Sequence, residues 1–302
     1  MGKNFTVILF YKYVNIDSPK SLMEQQRKLC SSLGLKGRII IAEEGINGTL
    51  EGTTENIEKY CADIKKLSIF KDIHIKHSVG TGKSFPKLSI KVRDEIVTSG
   101  LGTLKNVDNR ITGKYLKPEE LKAWIDSGRE FYIVDMRNDY EQISGHFEGS
   151  ILTNIKHFRD LPKFLPKINH LKDKEILTVC TGGVRCEKAS GYLIENGFEN
   201  VYQLEGGIHT YMERYPSEDF KGKLYVFDGR VLIGFNTKDK KHEIVSKCEK
   251  CNKASERYIN CENSYCHRHF IMCGDCDIKN GAYCNFRCKL LKKLAPKITL
   301  FQ

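Results

Sequence analysis

The feature that most constrains the fold is a glycine-containing loop in the middle of the chain. An apolar run, Ile176–Val179, ends at Cys180, and the residues Thr181-Gly182-Gly183-Val184-Arg185 lead into a helix that we expect from Glu187. In such a strand, loop and helix unit the backbone N–H groups converge and the helix dipole favours negative charge. Arg185 adds a positive charge, so we expect a lowered pKa and a thiolate nucleophile at Cys180. The alternative, a cysteine that only packs at a strand end, accounts less well for two glycines and an arginine.

The length and the net charge of the chain limit the class of protein it can be. With 302 residues, of which 40% are hydrophobic, the chain can form two or three domains. No apolar stretch reaches the roughly 18 to 20 residues that cross a bilayer, and no signal peptide pattern is visible, so we expect a cytoplasmic protein without a membrane partner. The net charge of +11 favours a polyanionic partner such as RNA or DNA.

Residues 1–95 predict an N-terminal α+β domain. One helix is expected after Ser18-Pro19 and ends at Gly34, and a second runs from Thr53 or Thr54 to about Leu67. The predicted strands are Phe5–Val14, Arg38–Ala42, Thr49–Glu51, Ile73–His77 and Leu88–Val92, with a turn at Gly45-Ile46-Asn47-Gly48. The order βαββαβ with one extra strand predicts a ferredoxin-like (acylphosphatase-like) sandwich.

The rest of the chain divides into four segments. Residues 96–113 are polar and glycine-containing, which is typical of a linker. Strands and helices then alternate over 114–217, which predicts an α/β domain with a parallel sheet and ligands at the carboxyl ends of its strands, where Cys180 lies. Residues 218–245 form a β-hairpin connector around Asp228-Gly229, and 246–302 form a cysteine-rich tail.

Eight of the twelve cysteines lie in four close pairs in this tail. The pairs are Cys248 with Cys251, Cys261 with Cys266, Cys273 with Cys276, and Cys284 with Cys288. Eight thiolates match two closed tetrahedral zinc sites, and a segment with few large apolar residues needs such a metal to be stable. We therefore predict two structural zinc ions. The spacing leaves the pairing of the four pairs open, and His267 or His269 could replace one cysteine.

Further motifs around the loop indicate a family. The chain has Asp135-Met136-Arg137 followed by Glu141 in a D-x-R-x-x-x-E pattern, then a G-H-x-x-G element at 145–149 and a G-G element at 206–207. Together with a loop of cysteine, four residues and arginine, these elements resemble the rhodanese domain over about residues 114 to 215. The resemblance implies that Cys180 carries a persulfide in a cradle of residues 181–185. It also places Asp135 and Arg137 near a strand end, where we expect structural ion pairing rather than direct chemistry.

Loop length separates two chemistries within this resemblance. Related phosphatases have one more residue between the cysteine and the arginine and hold a tetrahedral phosphate, whereas four residues suit a smaller sulfur atom. Phosphatase activity is therefore not expected. Cys186 departs from the serine or threonine of many rhodaneses. It either resolves a persulfide or forms a disulfide at Cys180, or it only packs at the helix start.

The order of the three modules resembles a more specific family. With Ala42-Glu43-Glu44-Gly45-Ile46-Asn47-Gly48 in the first domain, the whole chain is similar to the bacterial tRNA uridine-34 hydroxylases. This resemblance implies oxygen-dependent conversion of the wobble uridine to 5-hydroxyuridine, with Cys180 essential and the tRNA anticodon arm as partner. The Cys180 thiolate could add to C6 of uracil, or a persulfide or sulfenate could relay oxygen. The sequence identifies no electron donor, no flavin or nicotinamide fingerprint and no iron triad.

RNA contacts and rival functions complete the expectations. Five aromatic residues of the tail alternate with Lys and Arg, and we expect at most two of them to contact RNA because the others fill the core: Tyr258, Tyr265, Phe270, Tyr283 and Phe286. One rival function is a rhodanese-type sulfurtransferase that uses Cys180 without tRNA or oxygen. A second is a non-catalytic RNA-binding or scaffold protein, which the intact loop disfavours.

Overall fold

The N-terminal domain is a five-stranded sheet with two helices. The computed structural model describes residues 4–104, 107, 110–266 and 268–294. The sheet order is β4-β1-β3-β2-β5, with only the β2–β5 pair parallel. Its strands are β1 (Phe5–Tyr13), β2 (Lys36–Ala42), β3 (Gly45–Thr53), β4 (Ile75–Val79) and β5 (Leu88–Val92), and its helices are α1 (Pro19–Ser32) and α2 (Thr54–Ile64). The two helices pack their apolar residues on the core side chains of the sheet.

The turn predicted at residues 45–48 is wrong. These residues belong to β3, and the hairpin turn between β2 and β3 is at Glu43 and Glu44. The glycine serves a close contact within the sheet instead: a side-chain carbon at Gly48 would lie 2.4 Å from the ring of Phe10, its partner on β1. Glycine at this position makes room for a fully buried aromatic ring.

The central domain is a parallel sheet in the order β6-β11-β10-β7-β9. Its strands are β6 (Lys114–Leu116), β7 (Tyr132–Asp135), β9 (Ile151–Leu152), β10 (Glu175–Val179) and β11 (Asn200–Leu204). Five helices accompany them: α3 (Pro118–Asp126), α4 (Asp139–Gln142), α5 (Leu161–Phe164), α6 (Val184–Glu195) and α7 (Gly207–Arg214). Apolar clusters on both faces of the sheet bury β10, so the loop after this strand is held from both sides.

Short strands and two helices build the last third of the chain. β8 (Gly145–Phe147) pairs with β12 (Phe220–Gly222), and β13 (Leu224–Tyr225) pairs with β14 (Leu232–Ile233). The cysteine-rich tail contains β15 (Tyr258–Asn260), β16 (His269–Ile271), α8 (Gly274–Asn280) and α9 (Phe286–Leu294). The tail is anchored to the central domain through Tyr258, whose hydroxyl donates to the backbone oxygen of Tyr140 at 2.8 Å. Among the described residues, no helix is long and apolar enough to span a membrane.

The segment predicted as a linker is packed between the two domains. Ile96 and Val107 are fully buried in one apolar cluster with Tyr13 and Ala42 of the N-terminal domain. The backbone N–H groups of Ile96 and Leu104 both donate to the Glu44 carboxylate, at 2.9 and 2.7 Å. These contacts fix the segment to the turn between β2 and β3.

A buried ammonium group joins the two domains at this point. Lys188 on α6 is 1% exposed at its side chain, and its Nζ lies 2.9 Å from Glu44 and 2.7 Å from Glu95. It also donates to the backbone oxygen of Gly102 at 3.0 Å. The N-terminal domain, the joining segment and the central domain therefore share one charge network, in which Lys188 and Glu44 are fully buried and Glu95 is 12% exposed.

We expect Lys188→Met to destabilise the protein by about 3 to 5 kcal/mol, because it leaves two buried carboxylates without their cation. Urea unfolding followed by circular dichroism measures this change. The matched control is Lys59→Met, which removes a solvent-exposed ion pair with Glu55 and should change little. Equal, small effects of both variants would contradict the role given to Lys188.

Candidate active site

The thiol of Cys180 lies at the carboxyl end of the buried strand β10. Helix α6 begins at Val184, three residues before the predicted start at Glu187, so Arg185 and Cys186 belong to its first turn. The earlier start aims the free N–H groups of the helix at the sulfur. The N–H of Gly183 donates to Cys180 Sγ at 3.2 Å. The loop is held from behind by α7, because the N–H groups of Ile208 and His209 donate to the backbone oxygens of Cys180 and Thr181.

The environment of Cys180 lowers its pKa to about 5. Burial acts in the opposite direction, but a hydrogen bond from the Cys186 thiol, the charge of Arg185 and the N–H groups of Arg185 and Gly183 together outweigh it. The pKa of Cys186 is raised by burial and by the neighbouring thiolate, so Cys186 stays a thiol. One negative charge is thus held on Cys180 at neutral pH, with Cys186 as a hydrogen-bond donor.

Arg185 does not face the cavity as an uncompensated charge. Its guanidinium forms two hydrogen bonds with Glu141, at 2.5 and 2.8 Å, and the Glu141 side chain is fully buried. Thr181 also donates to this carboxylate, at 3.3 Å. A bidentate pair of this kind fixes the guanidinium plane. Glu141 belongs to the D-x-R-x-x-x-E motif, but the motif alone did not predict that it pairs with Arg185.

Asp135 and Arg137 form a separate, fully buried ion pair. The Arg137 guanidinium donates to the Asp135 carboxylate at 2.6 to 3.1 Å, and its Nη2 also donates to the backbone oxygen of Gly145 at 2.6 Å. The pair therefore ties the end of β7 to β8. Neither residue lines the cavity beside Cys180, which agrees with a structural role.

The N-terminal domain covers the loop, which the sequence did not predict. A side-chain carbon at Gly182 would lie 2.8 Å from Leu9 Cδ2, and one at Gly183 would lie 2.7 Å from the Tyr11 hydroxyl. A larger residue at either position would displace these side chains of β1, and Gly183 also has a φ of +105°, which side chains rarely adopt. Cys180 itself is fully buried.

A lysine of the N-terminal domain also contacts the loop. Lys76 on β4 is 6% exposed, and its ammonium group donates to the backbone oxygen of Gly182 at 3.0 Å. Burial lowers the pKa of Lys76 to about 8, against the opposing effect of the Cys180 thiolate. Lys76 thereby links the two domains beside the sulfur. No sequence motif around Lys76 predicts this contact.

A cavity of about 480 Å³ lies between the two domains at this point, a size usual for small-ligand sites. One wall comes from the N-terminal sheet, and the other comes from the loop, the residue before α4, the joining segment, residues 157–159 and the hairpin β13–β14. The residues that carry its polar and aromatic groups are Tyr11, Arg38, Asn47, Thr49, Thr98, Asn138, His157, Phe158, Arg159, Cys180, Thr181, Arg185 and Phe227. Of the predicted loop residues, Cys180, Thr181, Gly182, Val184 and Arg185 line it.

The eight tail cysteines form two groups of four thiols. The first group joins the first and third pairs (Cys248, Cys251, Cys273, Cys276), and the second joins the second and fourth pairs (Cys261, Cys266, Cys284, Cys288). Within each group the sulfur atoms lie within 4.8 Å of one another. Of the two histidines considered as ligands, His269 contacts the hydroxyl of Tyr225 at 3.2 Å, and His267 lies outside the described residues.

Three family models match the chain in sequence. They are the UPF0176 acylphosphatase-like domain at residues 5–96, the rhodanese-like domain at 117–214 and the rhodanase C-terminal domain at 221–289. A rhodanese-like domain protein of known structure from Staphylococcus aureus is 33% identical and covers 32% of this chain and 90% of its own, with a TM-score of 0.29. The family models, together with the fold and the Cys180 loop, define a rhodanese-domain protein whose loop is covered by an acylphosphatase-like domain.

Relatives over the full length narrow this class. A tRNA uridine(34) hydroxylase from Cytophaga hutchinsonii is 42% identical over 97% of this chain and 93% of its own length. Proteins of the same name from Bacillus licheniformis and Staphylococcus aureus are 42% and 41% identical over 96% and 94% of this chain, and over 90% and 89% of their own lengths. The chain belongs to the tRNA uridine(34) hydroxylase family.

The pH profile of Cys180 alkylation should report the lowered pKa. Only the thiolate reacts with iodoacetamide, so the rate rises with pH and reaches its midpoint at about 5. Burial slows the reaction equally at every pH, so the midpoint rather than the rate is diagnostic. Mass spectrometry of the alkylated Cys180 peptide measures the reaction rate at each pH and so gives the midpoint.

Cys186→Ala should move that midpoint upward because the thiolate loses a hydrogen-bond donor. Cys186→Ser keeps an O–H donor and should stay close to the native profile. A native midpoint above about 8, the range of an ordinary cysteine, would contradict the account.

Proposed function

We propose that this protein hydroxylates uridine 34 of tRNA at C5, with O₂ as co-substrate and Cys180 as the essential catalytic residue. The observation that carries the proposal is a buried cysteine of lowered pKa that lines a cavity between two domains, in a chain of the tRNA uridine(34) hydroxylase family. A substrate of this kind would place the protein in the cytoplasm.

The cavity has groups suited to a nucleotide. Arg38 and Arg159 line the cavity and are exposed to solvent. Guanidinium groups are the usual partners of phosphate. Tyr11 and Phe227 offer aromatic faces on which a base can stack. The net charge of +11 favours the surrounding anticodon arm as the wider partner.

The tail supports the expectation of few aromatic contacts with RNA. Tyr258 and Phe270 are buried at 9% and 1% exposure, whereas Tyr265 and Phe286 are 82% and 74% exposed. Tyr283 is partly buried against the cysteine cluster, so Tyr265 and Phe286 are the two tail aromatics best placed to contact RNA. The strand order β4-β1-β3-β2 likewise supports a ferredoxin-like assignment for the N-terminal domain.

The thiolate is the group on which the chemistry depends. Replacing C5–H of uridine by C5–OH with one atom of O₂ requires two electrons and two protons to reduce the other atom to water. Addition of Cys180 to C6 would make C5 electron-rich, and oxidation of Cys180 to a sulfenate would carry the oxygen atom instead. Both routes start from the same ionised sulfur, which the Cys186 thiol stabilises as a hydrogen-bond donor.

Sulfur transfer is the second function that the loop could perform. The loop has the rhodanese length, and its backbone donates to the sulfur at Gly183. In this chain, however, the two loop glycines accommodate Leu9 and Tyr11, and the sulfur is closed off by a second domain. These contacts favour a substrate that is bound by both domains over a small free sulfur compound.

We further propose that each tail group binds one structural zinc ion. Zinc–thiolate bonds of about 2.3 Å in a tetrahedron separate the sulfur atoms by about 3.8 Å. The sulfur atoms of Cys251 and Cys273 lie 3.6 Å apart and those of Cys266 and Cys284 lie 3.5 Å apart, which fits that geometry. All-thiolate sets leave no open position, which is typical of structural metals.

Cells that lack this gene should lose 5-hydroxyuridine and its derivatives at position 34, as measured by nucleoside mass spectrometry of tRNA. The wild-type gene should restore them and Cys180→Ala should not, because it removes the nucleophile. Cys30→Ala is the matched control, since Cys30 is a buried cysteine of the N-terminal domain outside the cavity.

Unchanged modification in the deleted strain would refute the proposal. Thiocyanate formation from thiosulfate and cyanide through Cys180, with unchanged tRNA, would instead support the sulfurtransferase.

Metal analysis of the purified protein should find about two zinc ions per chain. Cys276→Ser should lower the content to about one, since it removes a ligand from the first group only. Cys61→Ala, a cysteine of the N-terminal domain, should leave it unchanged. A protein folded in its tail without metal would overturn the zinc assignment.

A further inference from the structure

A second buried sulfur atom lies beside the thiolate. Cys186 belongs to the first turn of α6 and, like Cys180, is fully buried. Its thiol donates a hydrogen bond to Cys180 Sγ, and its backbone N–H donates to the backbone oxygen of Gly183 at 2.9 Å. Of the other ten cysteines, two lie in the core of the N-terminal domain and eight form the tail groups. Cys180 and Cys186 therefore supply the two sulfur atoms of the site.

The proposed hydroxylation needs two electrons besides those of the C5–H bond, and a thiol at the site can supply them. Uridine, O₂ and the Cys180 thiol together contain the atoms of 5-hydroxyuridine and a Cys180 sulfenic acid. One oxygen atom forms the C5–OH bond and the other forms the S–O bond. O₂ gains four electrons in this step, two from the C5–H bond and two from the sulfur. A sulfenic acid next to a thiol condenses with it to a disulfide.

We propose that Cys186 is the resolving cysteine of this hydroxylation and that the Cys180–Cys186 pair is its electron donor. The Cys186 sulfur attacks the sulfenic sulfur of Cys180, the S–S bond forms, and the S–O bond breaks. The departing hydroxide takes the Cys186 proton and leaves as water. The two thiols have then given up two electrons, and an external dithiol restores them by disulfide exchange. This inference rests on the proposed function and adds its reductant.

The negative charge on Cys180 keeps Cys186 protonated before the reaction. Burial raises the pKa of the Cys186 thiol, and its hydrogen bond to the Cys180 thiolate and the thiolate charge raise it further. A neutral sulfenic acid at Cys180 carries no such charge, whereas the Arg185 guanidinium, which favours a Cys186 thiolate, stays in place. Oxidation of Cys180 therefore lowers the pKa of Cys186 and makes its sulfur a better nucleophile.

The positions of the two residues suit a disulfide that forms and is reduced again. A disulfide joins its sulfur atoms at about 2.05 Å, and two sulfur atoms that already share a hydrogen bond need only approach each other. Cys180 lines the cavity between the two domains, so the disulfide borders the space that the product leaves and a dithiol enters.

A reaction without added reductant tests the inference. Reduced, desalted full-length protein is mixed in air-saturated buffer with an excess of a tRNA transcript that has uridine at position 34. The 5-hydroxyuridine formed should level off at about one per chain, because each chain holds one such pair of thiols. Trypsin cuts after Arg185, between the two cysteines, so mass spectrometry detects the disulfide as two linked peptides in the same yield. Dithiothreitol should allow further turnovers.

Cys186→Ser separates the redox role from hydrogen bonding. Serine keeps a donor to the thiolate but forms no disulfide, so Cys180 should accumulate as a sulfenic acid that dimedone labels, in about one chain per 5-hydroxyuridine formed. Wild-type protein should show at least about tenfold less label, because Cys186 consumes the sulfenic acid. Cys30→Ser, which changes a buried cysteine in the core of the N-terminal domain, is the matched control and should behave as the wild type.

The outcomes distinguish this inference from the proposed function. If wild-type protein forms 5-hydroxyuridine without the linked peptides, the pair is not the electron donor, and the proposed function stands without it. Linked peptides that form equally with a transcript carrying cytidine at position 34 would also overturn the inference, since oxidation would then be independent of hydroxylation. If no 5-hydroxyuridine forms even with dithiothreitol, the proposed function fails as well.

Discussion

The buried ammonium group of Lys188 is the interaction on which the arrangement of the site depends. It lies on the helix that follows the thiolate loop and is held by Glu44 of the N-terminal domain and Glu95 of the joining segment. A buried cation of this kind is stable only while both partners stay in place. It therefore ties the N-terminal domain and the joining segment to the helix that follows the Cys180 loop. The active site exists only where the two domains meet.

The third module supports the same site from the opposite side. The tail reaches α4 through the bond from Tyr258 to the backbone of Tyr140, and α4 carries Glu141, the partner of Arg185. Since Glu141 neutralises Arg185, the thiolate depends strongly on short-range donors, namely the loop N–H groups and the Cys186 thiol. All three modules thus contribute to holding one ionised sulfur in a place closed to solvent.

The sequence predicted the parts of this site that are local and missed those that are made between domains. Cys180, the loop glycines and Arg185 are adjacent in sequence, and the motif that contains them has a fixed spacing. The prediction of a turn at Gly45–Gly48 was wrong because Gly48 makes room for the ring of Phe10 on the neighbouring strand, a contact that only the fold reveals. Lys76 and Tyr11 carry no local signal, since each contacts a residue far away in the chain, Gly182 and Glu187 respectively.

The central claim is that uridine 34 binds in the cavity between the N-terminal sheet and the loop of Cys180. Photocrosslinking of an anticodon stem-loop with 4-thiouridine at position 34, followed by mass spectrometry of the attached peptides, tests it most directly. The account predicts crosslinks to the cavity walls, at Tyr11 or Phe227, that an excess of unmodified stem-loop suppresses. Crosslinks confined to the cysteine-rich tail would contradict it.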